Sequence, residues 1–503
     1  MTADAPPSTG TPRAQASAIG LPSILGPIRP RLRMTETTSL LLVAIILLVG
    51  RVSLSLTESG TFVIADARGI SIYLGVLAVA HIALVLAGRR SDQVLLPTVG
   101  LLAGISLLLM QRLPQELVTL DVGEATLGLG DVQLVWLCLS VAVMTTLGLV
   151  VRSDSWLRRY KYTWAVLGIA LLLLTFAFGS DVGGQRLTLR IGPVGGQPSE
   201  LLKVILVIFL AGYLSENRPL LIEQDTRVGP FRLPPLAYLA PMVAMWAIAL
   251  GVVVVQRDLG AALLFFAVFL ALAYAATGRL SLVVIGLVLF VVGSTVMAQL
   301  FDHVRDRIDI WIDPFADPLG SGYQVVQSLH AFARGGLLGT GLGAGLPMVG
   351  GRLPIPEVHT DFPLAALGEE LGLVGVIAIL ACFLVIVQRG LRIGAAAADD
   401  FRAILATGLA LVIGVQAFII AAGNLKVLPL TGVTLPFISY GGSSLLANAI
   451  VIGLLLALSD RGVEPPPAPR PVGRDGWRAR RRLRGRRRPG VGGTSAPAGR
   501  GGG

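Results

Sequence analysis

The chain has 503 residues, of which 54% are hydrophobic and 14% are charged. This composition excludes an ordinary soluble protein and is typical of a polytopic membrane protein. The formal net charge of +11 does not indicate a nucleic-acid partner, because the excess lies largely in the tail after Leu458.

Apolar stretches follow one another along most of the chain. A hydrocarbon core about 30 Å thick needs about 20 apolar residues per helix. By that measure the sequence predicts an all-α polytopic membrane protein with about twelve transmembrane helices. The predicted spans lie near residues 39–56, 70–87, 94–111, 132–151, 162–178, 199–214, 235–255, 259–276, 281–300, 362–388, 403–422 and 443–458.

Two tails flank the spans. Residues 1–38 are rich in Pro, Ser and Thr and lack an apolar core, so they predict a disordered tail without a cleaved signal peptide. Residues 459–503 are rich in Pro, Gly and Arg and predict a second, basic disordered tail. We expect anionic membrane lipids to bind this second tail, since each Lys or Arg near such a surface contributes roughly 1 kcal/mol.

The placement of Lys and Arg predicts the orientation. Positive flanks tend to stay in the cytoplasm, and basic residues concentrate in the two tails and in alternate loops. We therefore expect both termini in the cytoplasm. A polar loop, residues 301–361, joins the ninth and tenth spans and is expected to be extracellular.

Four polar stretches interrupt the apolar pattern, and the first leads into the sixth span. It contains Arg186 and then the sequence Gln-Pro-Ser-Glu-x-x-Lys, with Glu200 and Lys203 three residues apart on one helical face. An acid or a base in the membrane costs about 2.5–3.5 kcal/mol if centrally placed, so the two should pair or line a wet cavity. An ion pair that only joins helices and a functional pair both fit this spacing.

The second stretch, Gln-Arg-Asp-Leu-Gly, is a tight connection before the eighth span. It carries Arg257 and Asp258. Asp258 is placed to cap the amino terminus of the next helix. A helix cap and a catalytic role both remain open for it.

The third stretch is the loop 301–361. Asp-Pro pairs at Asp313 and Asp317 bracket a short turn, and Gly-Ser-Gly-Tyr-Gln, ending at Gln324, follows. Asp-Pro and Gly-x-Gly are ordinary turn chemistry. The glycines between residues 335 and 345 would let backbone amides approach a ligand closely, or would form a flexible loop.

The same loop ends in Pro-Glu-Val-His-Thr-Asp-Phe, which contains Glu357, His359 and Asp361. No His pair in the loop has the spacing of a zinc site, so we expect no metal site. The fourth stretch, Pro-Phe-Ile-Ser-Tyr-Gly-Gly-Ser-Ser, includes Ser443 and is apolar yet full of helix breakers. Irregular backbone at membrane depth survives only where it is buried in protein or lines a cavity.

Together the four stretches resemble the SEDS family (shape, elongation, division and sporulation), the RodA and FtsW proteins of bacteria. The resemblance covers residues 179–458 in the family's order. For the whole chain it implies a core of ten helices plus two extra amino-terminal spans. Residues 39–178 match only as generic spans and supply two helices more than the usual ten. The chain departs from the family where Leu187 replaces a frequent Trp and where Arg257 replaces a Pro.

The resemblance implies a peptidoglycan glycosyltransferase in the bacterial cytoplasmic membrane that polymerises lipid II, an undecaprenyl diphosphate-linked disaccharide peptide, on the outer face. It also implies a class B penicillin-binding protein as the crosslinking partner. An α-linked donor and a β-1,4 product require inversion, so one displacement with one carboxylate base is enough. No resident cofactor is implied, and the need for a divalent cation stays open. The shared motifs do not distinguish elongation from division or sporulation.

The family's catalytic acidic residue corresponds to Asp317. We assign its carboxylate as general base for the 4-hydroxyl of the acceptor sugar. An ordinary Asp titrates near 3.9, so we expect burial or a neighbouring carboxylate, Asp313 or Asp361, to raise its pKa. Among the outer cations, Arg186 and Arg307 are the first candidates to hold the diphosphate. The other candidate substrate-binding residues are Glu200, Lys203, Arg257, Asp258, Gln324, Glu357, His359, Asp361 and Ser443.

Two other functions fit a charged polytopic bundle. A lipid II flippase would move its substrate without forming a sugar bond, and it would favour repeat symmetry between the halves of the chain, which the sequence lacks. A non-catalytic scaffold for a transpeptidase would not need Asp317.

Overall fold

The computed structural model describes residues 30–60, 67–122, 125–182, 185–191, 194–223, 226–228, 231–233, 235–255, 258–345 and 353–460. All but the first two residues of the predicted basic tail, most of the predicted amino-terminal tail and Arg257 lie outside these residues.

The described chain is built mainly of α-helices that pack side by side. They are α1 (Met34–Ser59), α2 (Arg68–Leu86), α3 (Leu95–Arg112), α4 (Leu129–Val150), α5 (Ser155–Arg159), α6 (Lys161–Phe178), α7 (Pro198–Glu223), α8 (Leu236–Val255), α9 (Leu259–Thr277), α10 (Leu280–Leu300), α11 (Asp302–Ile312), α12 (Tyr323–Gly335), α13 (Pro363–Ala395), α14 (Asp400–Asn424) and α15 (Gly442–Ser459). A short 3₁₀ helix spans Gln115–Leu117.

Each of the twelve predicted spans coincides with one of these helices, namely α1–α4, α6–α10 and α13–α15. Eleven of the described helices are long and apolar enough to cross a membrane. The remaining predicted span, the seventh, is α8, which has 20 residues and contains Pro241. The prediction of an all-α polytopic membrane protein is therefore confirmed.

Three small antiparallel sheets lie in the connections and were not predicted. Strands of mostly three residues carry too little alternation to be read from the sequence. They are β1 (Leu120–Val122) with β2 (Ala125–Leu127), β3 (Ser180–Val182) with β4 (Gln185–Ile191) and β5 (Val194–Gly196), and β6 (Thr226–Val228) with β7 (Phe231–Leu233).

Helix α1 begins inside the stretch predicted to be a disordered tail, so that prediction is wrong for residues 34–38. The reason lies in Arg33, which is 2% exposed. Its guanidinium donates to the carbonyl oxygens of Arg89 (3.1 Å) and Ser91 (3.2 Å) and pairs with Glu36 at 2.5 Å. These bonds join the start of α1 to the connection between α2 and α3.

Ion pairs continue along this end of the bundle, which we name the tail end. Arg89 pairs with Asp460 after α15 at 2.8 Å, and Arg389 of α13 pairs with Asp92 at 2.7 Å. Residues 301–345 and 353–361 emerge at the opposite end, the loop end. There Arg112 at the end of α3 pairs with Glu370 near the start of α13.

The segment Gly336–Gly345 packs onto a break in α13. Gly372 has φ +66° and ψ −169° inside this helix, a conformation that glycine adopts at little cost. The Leu373 amide donates to the Gly336 carbonyl at 3.0 Å, and the Gly341 amide donates to the Glu370 carbonyl at 3.0 Å. The glycine-rich segment thus supplies hydrogen-bond partners for the backbone groups that the break in α13 leaves open. The sequence had suggested a ligand-binding or flexible loop instead.

Candidate active site

Asp317 lies in the turn between α11 and α12 and is exposed. Its carboxylate accepts hydrogen bonds from the Gly320 amide (3.0 Å), the Ser321 amide (2.8 Å) and the Ser321 hydroxyl (3.2 Å). A Cβ on Gly320 would lie 2.2 Å from Oδ2 of Asp317, so only glycine admits this approach. The predicted turn chemistry is confirmed, and it fixes the orientation of the carboxylate.

A polar pocket of about 380 Å³ opens beside this carboxylate. Four carboxylates line it, from Asp306, Asp309, Asp313 and Asp317. Such a lining repels a diphosphate and suits a neutral hydroxyl donor. Within the part of the chain that the structure describes, no three His, Cys, Asp or Glu side chains are arranged to hold a metal ion.

The pKa of Asp317 is lowered from its ordinary value, and the expectation of a raised pKa was wrong. Hydrogen bonds from the backbone and the hydroxyl of Ser321, together with the Gly320 amide, stabilise the charged form, and the exposed position adds little desolvation. Asp317 is therefore ionised throughout the neutral range.

A second set of ionisable groups lies around Asp361, just before α13. Burial raises the pKa of Asp361 to about 6; the Glu357 carboxylate also raises it, while the Thr360 hydroxyl and Arg307 lower it. Arg307 donates from Nη1 to the Leu430 carbonyl at 2.8 Å. Burial lowers the pKa of Arg307, and the charges of Asp361 and Asp258 oppose that shift.

Asp258 caps the amino terminus of α9. This is the helix-cap role, one of the two roles that the sequence left open for it. It accepts from the Ala261 amide at 3.0 Å through Oδ1. Its Oδ2 accepts from Gln197 Nε2 at 3.0 Å and the Ser199 hydroxyl at 3.3 Å. Burial raises the pKa of Asp258 despite these bonds, and the nearby Glu200 charge raises it further.

Glu200 and Lys203 form the predicted ion pair, with Nζ of Lys203 2.6 Å from Oε2 of Glu200. The Lys203 side chain is 2% exposed. Its ammonium also donates to Gln416 Oε1 at 2.8 Å and Asn448 Oδ1 at 2.9 Å. All three donors of the ammonium are thus used, and α7, α14 and α15 are joined at one point.

Four residues that make hydrogen bonds around the ammonium of Lys203 were not predicted from the sequence as site residues. Gln416 donates to the Thr434 carbonyl at 2.8 Å, and the hydroxyls of Thr434 and Ser444 lie 2.6 Å apart. Asn448 donates to Ser444 at 3.3 Å. The available signal was an amide side chain inside an apolar span, at Gln416 and at Asn448, because such a side chain needs a partner in the membrane.

The remaining predicted residues are dispersed. Arg186 lies in β4, in register with Asp181. Gln324 is half-buried in the first turn of α12, and Ser443 is half-buried in the first turn of α15, where the neighbouring Ser444 makes the hydrogen bonds just given. Glu357 is exposed and accepts from the Thr360 hydroxyl at 3.3 Å.

His359 is buried, and its ring lies 5.9 Å from that of Tyr440. Its carbonyl accepts from the Tyr440 amide at 2.8 Å, whereas its buried Nδ1 has no hydrogen-bond partner among the described residues. Burial lowers the pKa of His359, against the opposing charge of Glu357. His359 thus ties the loop to the segment before α15.

The geometry brings Glu200, Lys203, Asp258, Arg307 and Asp361 into one electrostatically linked group, which we name the buried polar network together with Gln416 and Asn448. Asp317 stands outside this network, in the exposed turn. The arrangement provides an ionised carboxylate at a polar pocket and, separately, a buried group of charges.

The chain is similar to known proteins over most of its length. A family model described as a cell cycle protein and covering FtsW, RodA and SpoVE matches residues 92–462. The peptidoglycan glycosyltransferase RodA of Mycobacterium tuberculosis (strain H37Rv) is 41% identical over 403 residues, which are 79% of this chain and 84% of the relative. A probable peptidoglycan glycosyltransferase FtsW of Nitrosococcus halophilus is 38% identical over 321 residues, 62% of this chain and 79% of the relative.

Solved structures share the fold. One match is a chain from a structure titled "Structural coordination of polymerization and crosslinking by a peptidoglycan synthase complex". It aligns with a TM-score of 0.58 and 27% identity, and the alignment covers 74% of this chain and 98% of the matched chain. A variant of the Thermus thermophilus rod shape determining protein RodA aligns with a TM-score of 0.51 and 22% identity, covering 75% and 99%. The chain therefore belongs to the FtsW, RodA and SpoVE family, as its four polar motifs predicted.

Proposed function

We propose that this chain is a peptidoglycan glycosyltransferase that polymerises lipid II into β-1,4 glycan strands during elongation or division. The reaction takes place at the loop end of the bundle, which faces outward when both termini are cytoplasmic. The single observation that carries the proposal is Asp317, an ionised carboxylate fixed by three hydrogen bonds beside a polar pocket. Relatives named as peptidoglycan glycosyltransferases support the reaction class.

Asp317 acts as general base in one inverting step. Its carboxylate takes the proton of the acceptor 4-hydroxyl while that oxygen forms a bond to C1 of the donor sugar. The bond from C1 to the diphosphate oxygen breaks, and undecaprenyl diphosphate leaves with the electron pair. Because a diphosphate is a good leaving group, its charge needs neutralisation more than protonation.

The low pKa of Asp317 has a cost and a benefit. A weak base gives less driving force for proton transfer. Because the carboxylate remains ionised at neutral pH, however, nearly every molecule holds it in the form that can accept a proton. The hydrogen bonds from Ser321 and Gly320 also fix its position, and correct positioning is a large part of catalysis.

Arg307 is the described candidate for the diphosphate, and Arg186 and Arg257 remain candidates by position in the sequence. Arg307 is half-buried at the loop end, and its Nη1 donates to the Leu430 carbonyl at 2.8 Å. Two other members of the buried polar network, Asp258 and Asp361, supply negative charges that compensate that of Arg307. We assign Glu200 and Lys203 to holding α7, α14 and α15 together below this site.

The partner is a class B penicillin-binding protein that crosslinks the new strands. The likeness to a chain from a peptidoglycan synthase complex, of which 98% is covered, supports a synthase partner. The basic tail is proposed to bind anionic lipids at the cytoplasmic face. The scheme requires no resident cofactor, and a divalent cation would serve only to screen the diphosphate.

The test is glycan formation by the purified full chain in detergent, alone and with a class B penicillin-binding protein, from fluorescent lipid II. Asp317→Asn should lower the rate by about 10²- to 10⁴-fold, the usual contribution of a general base. Asp313→Asn, at the same pocket and in a similar turn, is the matched control and should retain most of the rate.

Other results would change the function. An equally folded Asp317→Asn protein that polymerises at the wild-type rate would remove Asp317 as base. If wild type and variants make no glycan even with the partner, while liposomes containing the chain move lipid II across the bilayer, the protein is a flippase. Neither activity, with the partner's crosslinking still dependent on the chain, would indicate a scaffold.

A further inference from the structure

Helix α1 precedes the range that matches the family model, residues 92–462, yet it touches the loop that follows the proposed catalytic turn. Thr57, near the end of α1, has its hydroxyl 3.0 Å from the Ser53 carbonyl of its own helix and 3.0 Å from the Leu342 carbonyl, 285 positions away in sequence, and its one proton is shared between these two acceptors. Leu54, one turn earlier, is 1% exposed. These two residues bring a peripheral helix into contact with the segment Gly336–Gly345.

The contact is close at Gly343. This residue has φ +85°, and a Cβ built on it would lie 3.1 Å from Cδ2 of Leu54 and 3.2 Å from Cβ of Thr57. A Cβ on Gly50 of α1 would lie 3.7 Å from Cδ1 of Leu342. The segment therefore rests on two successive turns of α1, through one hydrogen bond and through direct packing.

The opposite side of the same segment is held by α3 and α13. The Gly343 amide donates to Oε2 of Glu370 at 3.1 Å, and the Thr340 amide donates to the Glu369 carbonyl at 2.9 Å. Arg112 of α3 donates to the Gly345 carbonyl and pairs with Glu370. A segment rich in glycine loses more conformational entropy on ordering than any other, so contacts on both sides are needed to fix it.

The segment continues directly from α12, and α12 begins six residues after Asp317. The Gly339 amide donates to the Gly335 carbonyl at 2.8 Å. Arg334, at the end of α12, binds Glu369 through two hydrogen bonds of 2.8 and 3.2 Å. A shift of the segment is therefore transmitted to α12 and to the turn that its first residue closes.

We propose that α1 is a positioning element for the reaction: Leu54 and Thr57 hold the segment Gly336–Gly345 against α13 and thereby set the position of α12 and the Asp317 turn. This inference rests on the proposed function, and it gives the amino-terminal helices a task beyond membrane anchoring. Leu54 and Thr57 act through the segment and do not touch substrate.

The first test replaces the hydroxyl of Thr57 in the full chain. Thr57→Val removes the donor and Thr57→Ser keeps it. Thr38→Val is the matched control, because among the described residues that hydroxyl bonds only to the Met34 carbonyl of its own helix. We expect Thr57→Val to lower kcat for glycan formation by about two- to threefold, the low end of the range for one hydrogen bond because this bond is exposed, with KM for lipid II unchanged. Thr57→Ser and Thr38→Val should behave as wild type.

The second test replaces the packing. Leu54→Ala is compared with Leu77→Ala, which removes an equally large, 2% exposed side chain of α2 that packs against Gly100 of α3. Both variants should lose similar stability, because both leave a cavity. Only Leu54→Ala should speed hydrogen–deuterium exchange at the amides of Thr340, Gly341 and Gly343.

The two readouts separate the two proposals. Unchanged exchange of the segment in both Thr57→Val and Leu54→Ala would overturn the positioning role of α1, whatever the activity. Equal losses of kcat in Leu54→Ala and Leu77→Ala, in proportion to lost folded protein, would also overturn it. A wild-type protein that makes no glycan would instead overturn the proposed function.

Discussion

The Asp317 turn and the buried polar network both hold carboxylates at the loop end of the bundle, in opposite surroundings. Asp317 is exposed, and its charge is stabilised by the amides of Gly320 and Ser321 and by the Ser321 hydroxyl. Asp361 is half-buried, and desolvation raises its pKa to about 6. One carboxylate is kept charged by hydrogen bonds, and the other is pushed toward its neutral form by burial.

The different surroundings of these carboxylates point to two different tasks, proton transfer and the joining of helices, although both occur within the same four sequence motifs. A fixed, ionised carboxylate at a polar pocket can accept a proton, and its loss should affect the reaction more than the fold. Charges that lie between helices must each have a partner, since an unpaired buried charge is costly. Their loss should affect the fold first and the reaction through it.

The largest effect on stability is expected at Lys203. Lys203→Met leaves Glu200 without its cation and removes the bonds to Gln416 and Asn448. Removing one partner of a buried pair costs about 3–5 kcal/mol. Unfolding in detergent, followed by circular dichroism over a denaturant series, measures the loss.

Arg218→Met is the matched control for that experiment. Arg218 of α7 pairs with Asp400 of α14, and the two side chains are 38% and 48% exposed. Pairs with such exposure contribute about 0–1 kcal/mol. Equal losses in the two variants would mean that burial does not distinguish the network, and the comparison with the Asp317 turn would fail.

Much of this fold follows from hydrophobicity alone. Twelve apolar stretches predicted twelve helices, because a bilayer admits few other spanning structures. The ion pair of Glu200 with Lys203 and the cap at Asp258 followed from helical spacing and from capping preference. These features are local in sequence, which is why the residues themselves reveal them.

Contacts between distant residues could not be predicted in this way. Spacing showed that Lys203 needs a partner, but not that Gln416 and Asn448 would share it. The expectation of a raised pKa at Asp317 was wrong, because the exposure of a side chain depends on tertiary structure. The carboxyl group whose pKa is raised is that of Asp361. The glycine-rich segment could be read as ligand-binding because glycine permits close approach, whereas the close partner is the backbone of α13 at Gly372.

The second prediction concerns stability against pH. An ordinary Asp titrates near 3.9, and folding raises the pKa of Asp361 to about 6, so between these values the folded protein binds more protons than the unfolded one. The free energy of unfolding should therefore fall as pH rises from about 4 to about 6, by about 1–3 kcal/mol. The raised pKa of Asp258 adds to this fall with the same sign.

Asp361→Asn should make that decline shallower, as thermal unfolding across the same pH range would show. Asp317 has a lowered pKa and therefore the opposite sign: its contribution is present above its ordinary pKa and is lost as pH falls below it. Asp317→Asn should leave the decline between about pH 4 and about pH 6 unchanged. A decline that disappears in Asp317→Asn would reverse the assignment of the two surroundings.

The smallest expected effect separates the two carboxylates in the reaction itself. Ser321→Ala removes the hydroxyl 3.2 Å from Asp317 and keeps both amide donors. The pKa of Asp317 should rise, so the acid limb of the pH–rate profile should move to higher pH. The rate at neutral pH should change by less than about threefold, since one exposed hydrogen bond contributes little. The opposite outcome is a wild-type acid limb near pH 6, the pKa of Asp361, that Ser321→Ala does not move and that Asp361→Asn abolishes. In that case the proton acceptor belongs to the buried polar network, and the exposed turn serves to position substrate.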